Sequence, residues 1–213
     1  MVRSEERVDV TLYLVTNSDG MSEDGFLDKV AEACEGGVTL VQLREKELGG
    51  REYFELALKV KAVTDRFGVP LIIDDRADVA LCSGAAGVHL GQSDLPIAEA
   101  RRIMGGGMII GATAKTVEQA LKAEREGADY LGVGAIYPTT TKVITVLTPV
   151  ATLSDIVKNV SIPVAAIGGL NAGNLDVLRG SGASGIAVVT AIMGSENPKE
   201  TAKELRRRFA LTQ

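Results

Sequence analysis

Eight short apolar, β-branched runs alternate with stretches of helical period along the chain, a pattern that parallel strands joined by crossover helices satisfy. The strand-like runs fall at 11–15, 39–42, 70–73, 87–89, 108–111, 130–133, 164–166 and 185–188. The helical stretches between them include 23–35, 51–67, 96–104, 116–126, 150–159, 171–179 and 198–209. An open, doubly wound sheet is the rival architecture. Eight regular repeats within 213 residues leave little chain for anything except closure, so the pattern predicts one α/β domain, a (β/α)8 TIM barrel spanning 1–213. The first helical stretch ends in Gly36–Gly37, a pair able to supply a left-handed C-cap.

Such a barrel carries its chemistry at the C-terminal ends of its strands, and bulk properties narrow which chemistry. A net charge of -5 and a pI near 5.1 disfavour a nucleic-acid partner, which needs a concentrated basic face. The N-terminus lacks the apolar core of a signal peptide and no later apolar run would span a bilayer, so a cytoplasmic protein without a membrane partner is expected. Cys34 and Cys82 lie in helix-like stretches without CxxC spacing and read as buried structural thiols. His89 is the only histidine, which excludes a histidine-based metal cluster; inside an apolar strand it reads as a hydrogen-bonded core residue. Arg206–Arg208 complements the dipole of the last helix and is read as solvated.

The strand ends are polar. The second strand runs into Gln42, Leu43, Arg44, Glu45 and Lys46, where Arg44 and Lys46 alternate onto one face and suit an anionic group. Solvated charges flanking a strand are the alternative. The third strand ends in Asp74–Asp75 and the fourth leads to Asp94; carboxylates from neighbouring strand ends suit Mg²⁺, which favours oxygen ligands shared with substrate phosphates. Asp94 as a mere helix cap before Pro96 is the competing reading. Thr113 follows the fifth strand, and Thr139, Thr140, Thr141 and Lys142 after the sixth combine hydroxyls with one cation. Gly168–Gly169 and Val189–Thr190 follow the last two strands, where barrels commonly bind phosphate on backbone amides.

Read in order, VQLREK, IIDDRADVA, GVHLGQSDLP, YLGVGAIYPTTTK, VAAIGGL and GIAVVTAIM resemble the signature segments of the thiamine phosphate synthase family over most of the chain. The resemblance implies a transferase that joins a pyrimidine methylene to a thiazole nitrogen with loss of diphosphate, with Mg²⁺ as cofactor. It implies that the run Gln42–Lys46, with Asp74, Thr113 and Lys142, binds the pyrimidine diphosphate, and that Arg44, Lys46 and Lys142 assist departure of the diphosphate. Asp75 and Asp94 resemble the metal ligands. Thr139, Thr140, Thr141, Gly169, Val189 and Thr190 would hold the thiazole phosphate, so two phosphorylated substrates are expected at one mouth, in a monomer or a homo-oligomer.

Two departures stand out. Position 74 is aspartate where the family usually has asparagine, which adds a negative charge beside Asp75; the segment 143–148 is apolar where an acidic, glycine-containing loop is the family pattern. The related aminothiazole tautomerase would carry a histidine near the end of the sixth strand, where this chain reads Gly134–Ala135–Ile136. A phosphate-binding barrel without turnover is the non-enzymatic alternative.

Overall fold

The computed structural model of the chain describes residues 7–139 and 146–213. Eight parallel strands close into a barrel in sequence order: β1 (Leu12–Val15), β2 (Leu40–Leu43), β3 (Leu71–Asp74), β4 (Gly87–Leu90), β5 (Ile109–Ala114), β6 (Tyr130–Gly134), β7 (Val164–Ile167) and β8 (Gly185–Val188), with β8 pairing back onto β1. The helices are α1 (Glu23–Glu35), α2 (Gly50–Asp65), α3 (Ala77–Ser83), α4 (Ile97–Met104), α5 (Val117–Arg125), α6 (Val150–Asn159), α7 (Thr190–Met193) and α8 (Pro198–Ala210). Helix α1 begins where Ser22 accepts the Gly25 N–H, and α8 where Asn197 accepts that of Glu200 ahead of Pro198.

Two expectations are corrected. The stretch 171–179 forms only a single 3-10 turn, Leu175–Leu178, because Asn171 and Asn174 bond the local backbone at Gly173 and Asn171 and hold it in turns. The helix-like stretch around Cys82 is helix α3, only seven residues long. Its buried positions are Val79, Ala80 and Ser83, so Cys82 faces outward instead of being buried. Cys34 is buried, and burial pushes its thiol up to about 12.

Strands covered on both faces read as continuous apolar runs, and two layers result. Leu14, Val41, Leu43, Ile73, Val88 and Leu131 belong to the layer shared with the helices. Val10, Tyr13, Val15, Leu40, Ile72, Tyr130, Ala165 and Ala187 form a separate cluster, the filling of the barrel. Tyr130 fits there because its register partner is Gly111, where an added Cβ would lie 2.1 Å from Tyr130 Cζ. Gly111→Ala is therefore expected to lose about 1–3 kcal/mol of stability, read from denaturant midpoints; an unchanged midpoint would show the ring moving at no cost.

Candidate active site

The C-terminal ends of β2, β3 and β4 bring together two cations and three carboxyl groups. Beyond the end of β2, Arg44 Nε lies 3.7 Å and Lys46 Nζ 2.7 Å from Asp74 Oδ2, and Lys46 also pairs with Asp75. The two basic side chains thus converge on one carboxylate instead of standing apart in solvent. Asp74 ends β3 and is 8% exposed; burial, then the charge of Asp75, push its carboxyl up to about 6 against Lys46 and Arg44. Burial pulls the Lys46 ammonium down, and its two carboxylate partners more than reverse that.

Asp75 adopts φ 60°, in the left-handed region that aspartate tolerates better than most side chains, and its N–H donates to His89 O at 2.9 Å. Asp94 does not cap α4, whose first turn follows Pro96; its Oδ2 accepts the Gly91 N–H at 2.7 Å. Its carboxyl meets that of Asp75, and burial, with Asp75 adding to it, raises Asp94 against the Gly91 hydrogen bond. Two abutting carboxyls fit a divalent cation that completes its shell with water and substrate oxygens. Among the described residues no group of three or more His, Cys, Asp or Glu is placed to hold a metal, so Asp75 and Asp94 alone form the candidate pair.

Two members of the run Gln42–Lys46 point elsewhere. The Leu43 side chain is fully buried in the layer facing the helices, and its carbonyl accepts from Tyr53 Oη at 2.6 Å. Glu45 turns to the β1 loop, where Oε2 accepts from Ser18 Oγ at 2.9 Å; burial raises this carboxyl against that bond.

Below the mouth a buried polar chain crosses the barrel, of which the sequence points only to the two ends and His89. Gln42 Nε2 donates to Tyr13 Oη at 2.6 Å, Tyr13 Oη lies 2.8 Å from Tyr130 Oη, and His89 stands 3.0 Å from Tyr130 Oη through Nδ1 and 3.0 Å from Thr113 Oγ1 through Nε2. His89 is thus the hydrogen-bonded interior residue expected. The tyrosines escape notice because a tyrosine in an apolar strand reads as core; Gly111 inside β5, which makes room for a ring, is the signal that points to them.

Burial holds His89 down at about 4, so below pH 6.5 the unfolded chain binds the proton that the folded one refuses. This group removes about 3 kcal/mol of stability as pH falls from 6.5 to 4. Asp74, raised from 3.8 to about 6, works in the opposite sense, since the folded chain takes up that proton first. In metal-free protein the two nearly cancel. Asp74→Asn is expected to become less stable by about 3 kcal/mol between pH 6.5 and 4 relative to wild type, as read from denaturation series; parallel profiles would refute the opposition.

The ends of β6, β7 and β8 form the other part of the mouth. Gly168 and Gly169 have φ of 106° and 64°, and a Cβ on Gly169 would lie 2.8 Å from Pro138 O, so the β7 turn passes tightly against the loop that carries Thr139. Asn174 Nδ2 donates to Gly169 O at 2.9 Å and holds that turn. Val189 precedes α7 and Thr190 opens it. Thr140, Thr141, Lys142 and the first half of the divergent segment, 143–145, lie outside the described residues.

Cations and carboxyls on one side and glycine-lined turns on the other are the groups with which (β/α)8-barrel enzymes bind phosphorylated small molecules. A family model described as thiamine monophosphate synthase matches residues 12–192. Thiamine-phosphate synthase 2 of Streptococcus pneumoniae is 54% identical over 186 residues, covering 87% of this chain and 89% of that protein. Thiamine-phosphate synthase of Enterococcus faecalis is 50% identical over 201 residues, covering 94% of this chain and 95% of that protein. The solved structure of thiamine phosphate pyrophosphorylase from Pyrococcus furiosus superposes with a TM-score of 0.87 at 38% identity, covering 97% and 98% of the two chains. The chain belongs to the thiamine monophosphate synthase family, and it is a transferase of thiamine biosynthesis. No helix among the described residues is long and apolar enough to cross a membrane.

Proposed function

We propose that this enzyme condenses hydroxymethylpyrimidine diphosphate with hydroxyethylthiazole phosphate, or with its carboxylated form with loss of CO₂, to give thiamine monophosphate and diphosphate. The convergence of Arg44 and Lys46 beside the abutting carboxyls of Asp75 and Asp94 carries this reading, because a diphosphate leaving group needs both cations and a metal seat. The bond from the pyrimidine methylene to the diphosphate oxygen breaks early and its electron pair leaves with the diphosphate. The electron-rich aminopyrimidine carries the developing positive charge, and the thiazole nitrogen then donates its lone pair to the methylene carbon.

Such a step needs a stabilised leaving group more than a strong base, which suits a chain whose only histidine is buried and neutral at pH 7. Arg44, Lys46 and, by resemblance, Lys142 take up the charge of the departing diphosphate. Mg²⁺ on Asp75 and Asp94 would supply further neutralisation of the phosphate oxygens. Gln42 and Thr113 hold the pyrimidine ring, while Thr139, Thr140, Thr141, Gly169, Val189 and Thr190 position the thiazole phosphate for in-line approach.

The test is incubation of the purified protein with both substrates and Mg²⁺, following diphosphate and thiamine monophosphate together. Equimolar release of the two is expected. Thiazole isomerisation without diphosphate, or binding without product, would contradict the proposal.

A further inference from the structure

We infer that Tyr13, Tyr130 and His89 form a one-way hydrogen-bond relay that leaves Gln42 Oε1 as an acceptor and the Thr113 hydroxyl as a donor toward the mouth. The ring bound above must then offer a donor to Gln42 and an acceptor to Thr113, as an aminopyrimidine does with its amino group and a ring nitrogen. This rests on the proposed function and deepens it: the three residues are positioning residues that give the pyrimidine pocket its polarity.

The direction follows from counting hydrogens. The Gln42 amide nitrogen can only donate, so Tyr13 Oη accepts from it and its single hydrogen is free to go to Tyr130 Oη. The hydrogen of Tyr130 then goes to His89 Nδ1. Burial keeps both phenols protonated and the imidazole neutral, so each has one hydrogen to give. With Nδ1 accepting, the imidazole hydrogen sits on Nε2 and is donated to Thr113 Oγ1, which frees the threonine's own hydrogen. Among the described residues, neither Gln42 Oε1 nor the Thr113 hydroxyl hydrogen is taken by another side chain. Reversing part of the chain would leave a buried phenol hydrogen without an acceptor, so the fully paired alternative reverses every bond, and Gln42 would then turn its NH₂ to the mouth and Thr113 its lone pairs. A ring with the opposite pattern would fit that state, so the relay decides which edge pattern the pocket accepts.

His89 is the only histidine, so an untagged protein carrying isotope-labelled histidine gives a single imidazole signal set, and two-bond nitrogen–proton spectra report which nitrogen holds the hydrogen. The relay requires the Nε2–H tautomer at neutral pH without substrate. Tyr130→Phe keeps the ring and removes the donor that fixes Nδ1 as an acceptor; both tautomers should then coexist, and KM for the pyrimidine diphosphate should rise roughly two- to tenfold with KM for the thiazole phosphate unchanged. A loss of packing alone would not alter the tautomer. An Nδ1–H wild type, or a Tyr130→Phe protein that keeps pure Nε2–H and its KM, would overturn the relay. Because the spectra are recorded without substrate, they judge the relay separately from whether thiamine monophosphate is made.

Discussion

Replacement of Lys46 by alanine is expected to lower kcat/KM by about a hundred- to a thousandfold while the barrel stays folded. Lys46 pairs with both Asp74 and Asp75, so the change removes a cation from the leaving group and leaves Arg44 to face the two carboxylates alone. Asp74, already raised by burial and Asp75, rises further without its nearest cation. Lys46→Arg should recover only part of the loss, because a planar guanidinium does not replace a point charge seated between two carboxylates. Steady-state kinetics with both substrates, beside thermal melts, checks this; a loss below tenfold would remove Lys46 from the chemistry.

Asp75→Asn combined with Asp94→Asn should cost two to three orders of magnitude in kcat/KM, about 3–4 kcal/mol of metal-borne stabilisation, and abolish the response to added Mg²⁺. Asparagine also tolerates the left-handed backbone at position 75 and is nearly isosteric, so the fold should persist. Removing two abutting carboxyls also relieves their mutual repulsion in metal-free protein, and the melting temperature should hold or rise. Activity that still climbs with Mg²⁺ in the double variant would place the metal elsewhere.

The barrel was legible because parallel strands buried on both faces leave continuous apolar runs, so β4, β6 and β8 could be found at or within a residue of their observed ends. Helix α1 is legible through its sustained period and the Gly36–Gly37 pair that closes it, whereas α3 at seven residues has no side-chain cap and little room for a pattern. The stretch 171–179 looked helical by spacing, but Asn171 and Asn174 spend their side chains on local turns. Within the site, Arg44, Lys46, Asp75 and Asp94 stood out because charges at strand ends have no place in a core. Leu43 did not separate from its neighbours until the barrel fixed which face each residue takes. Tyr13 and Tyr130 were hidden for a different reason: their rings satisfy the core pattern, and only the three-dimensional meeting of their hydroxyls shows a polar chain.

The division of the mouth into a diphosphate side at β2–β4 and a monophosphate side at β6–β8 is tested most directly by the pair of KM values in Gly169→Ala. An added Cβ would press on Tyr137 Cβ and Pro138 O and force alanine into a φ of 64°, disturbing the turn on the thiazole side alone. KM for the thiazole phosphate should rise about tenfold or more, by at least the 1.4 kcal/mol that such strain supplies, while KM for the pyrimidine diphosphate stays at its wild-type value. Equal rises in both, or a rise confined to the pyrimidine diphosphate, would contradict the division.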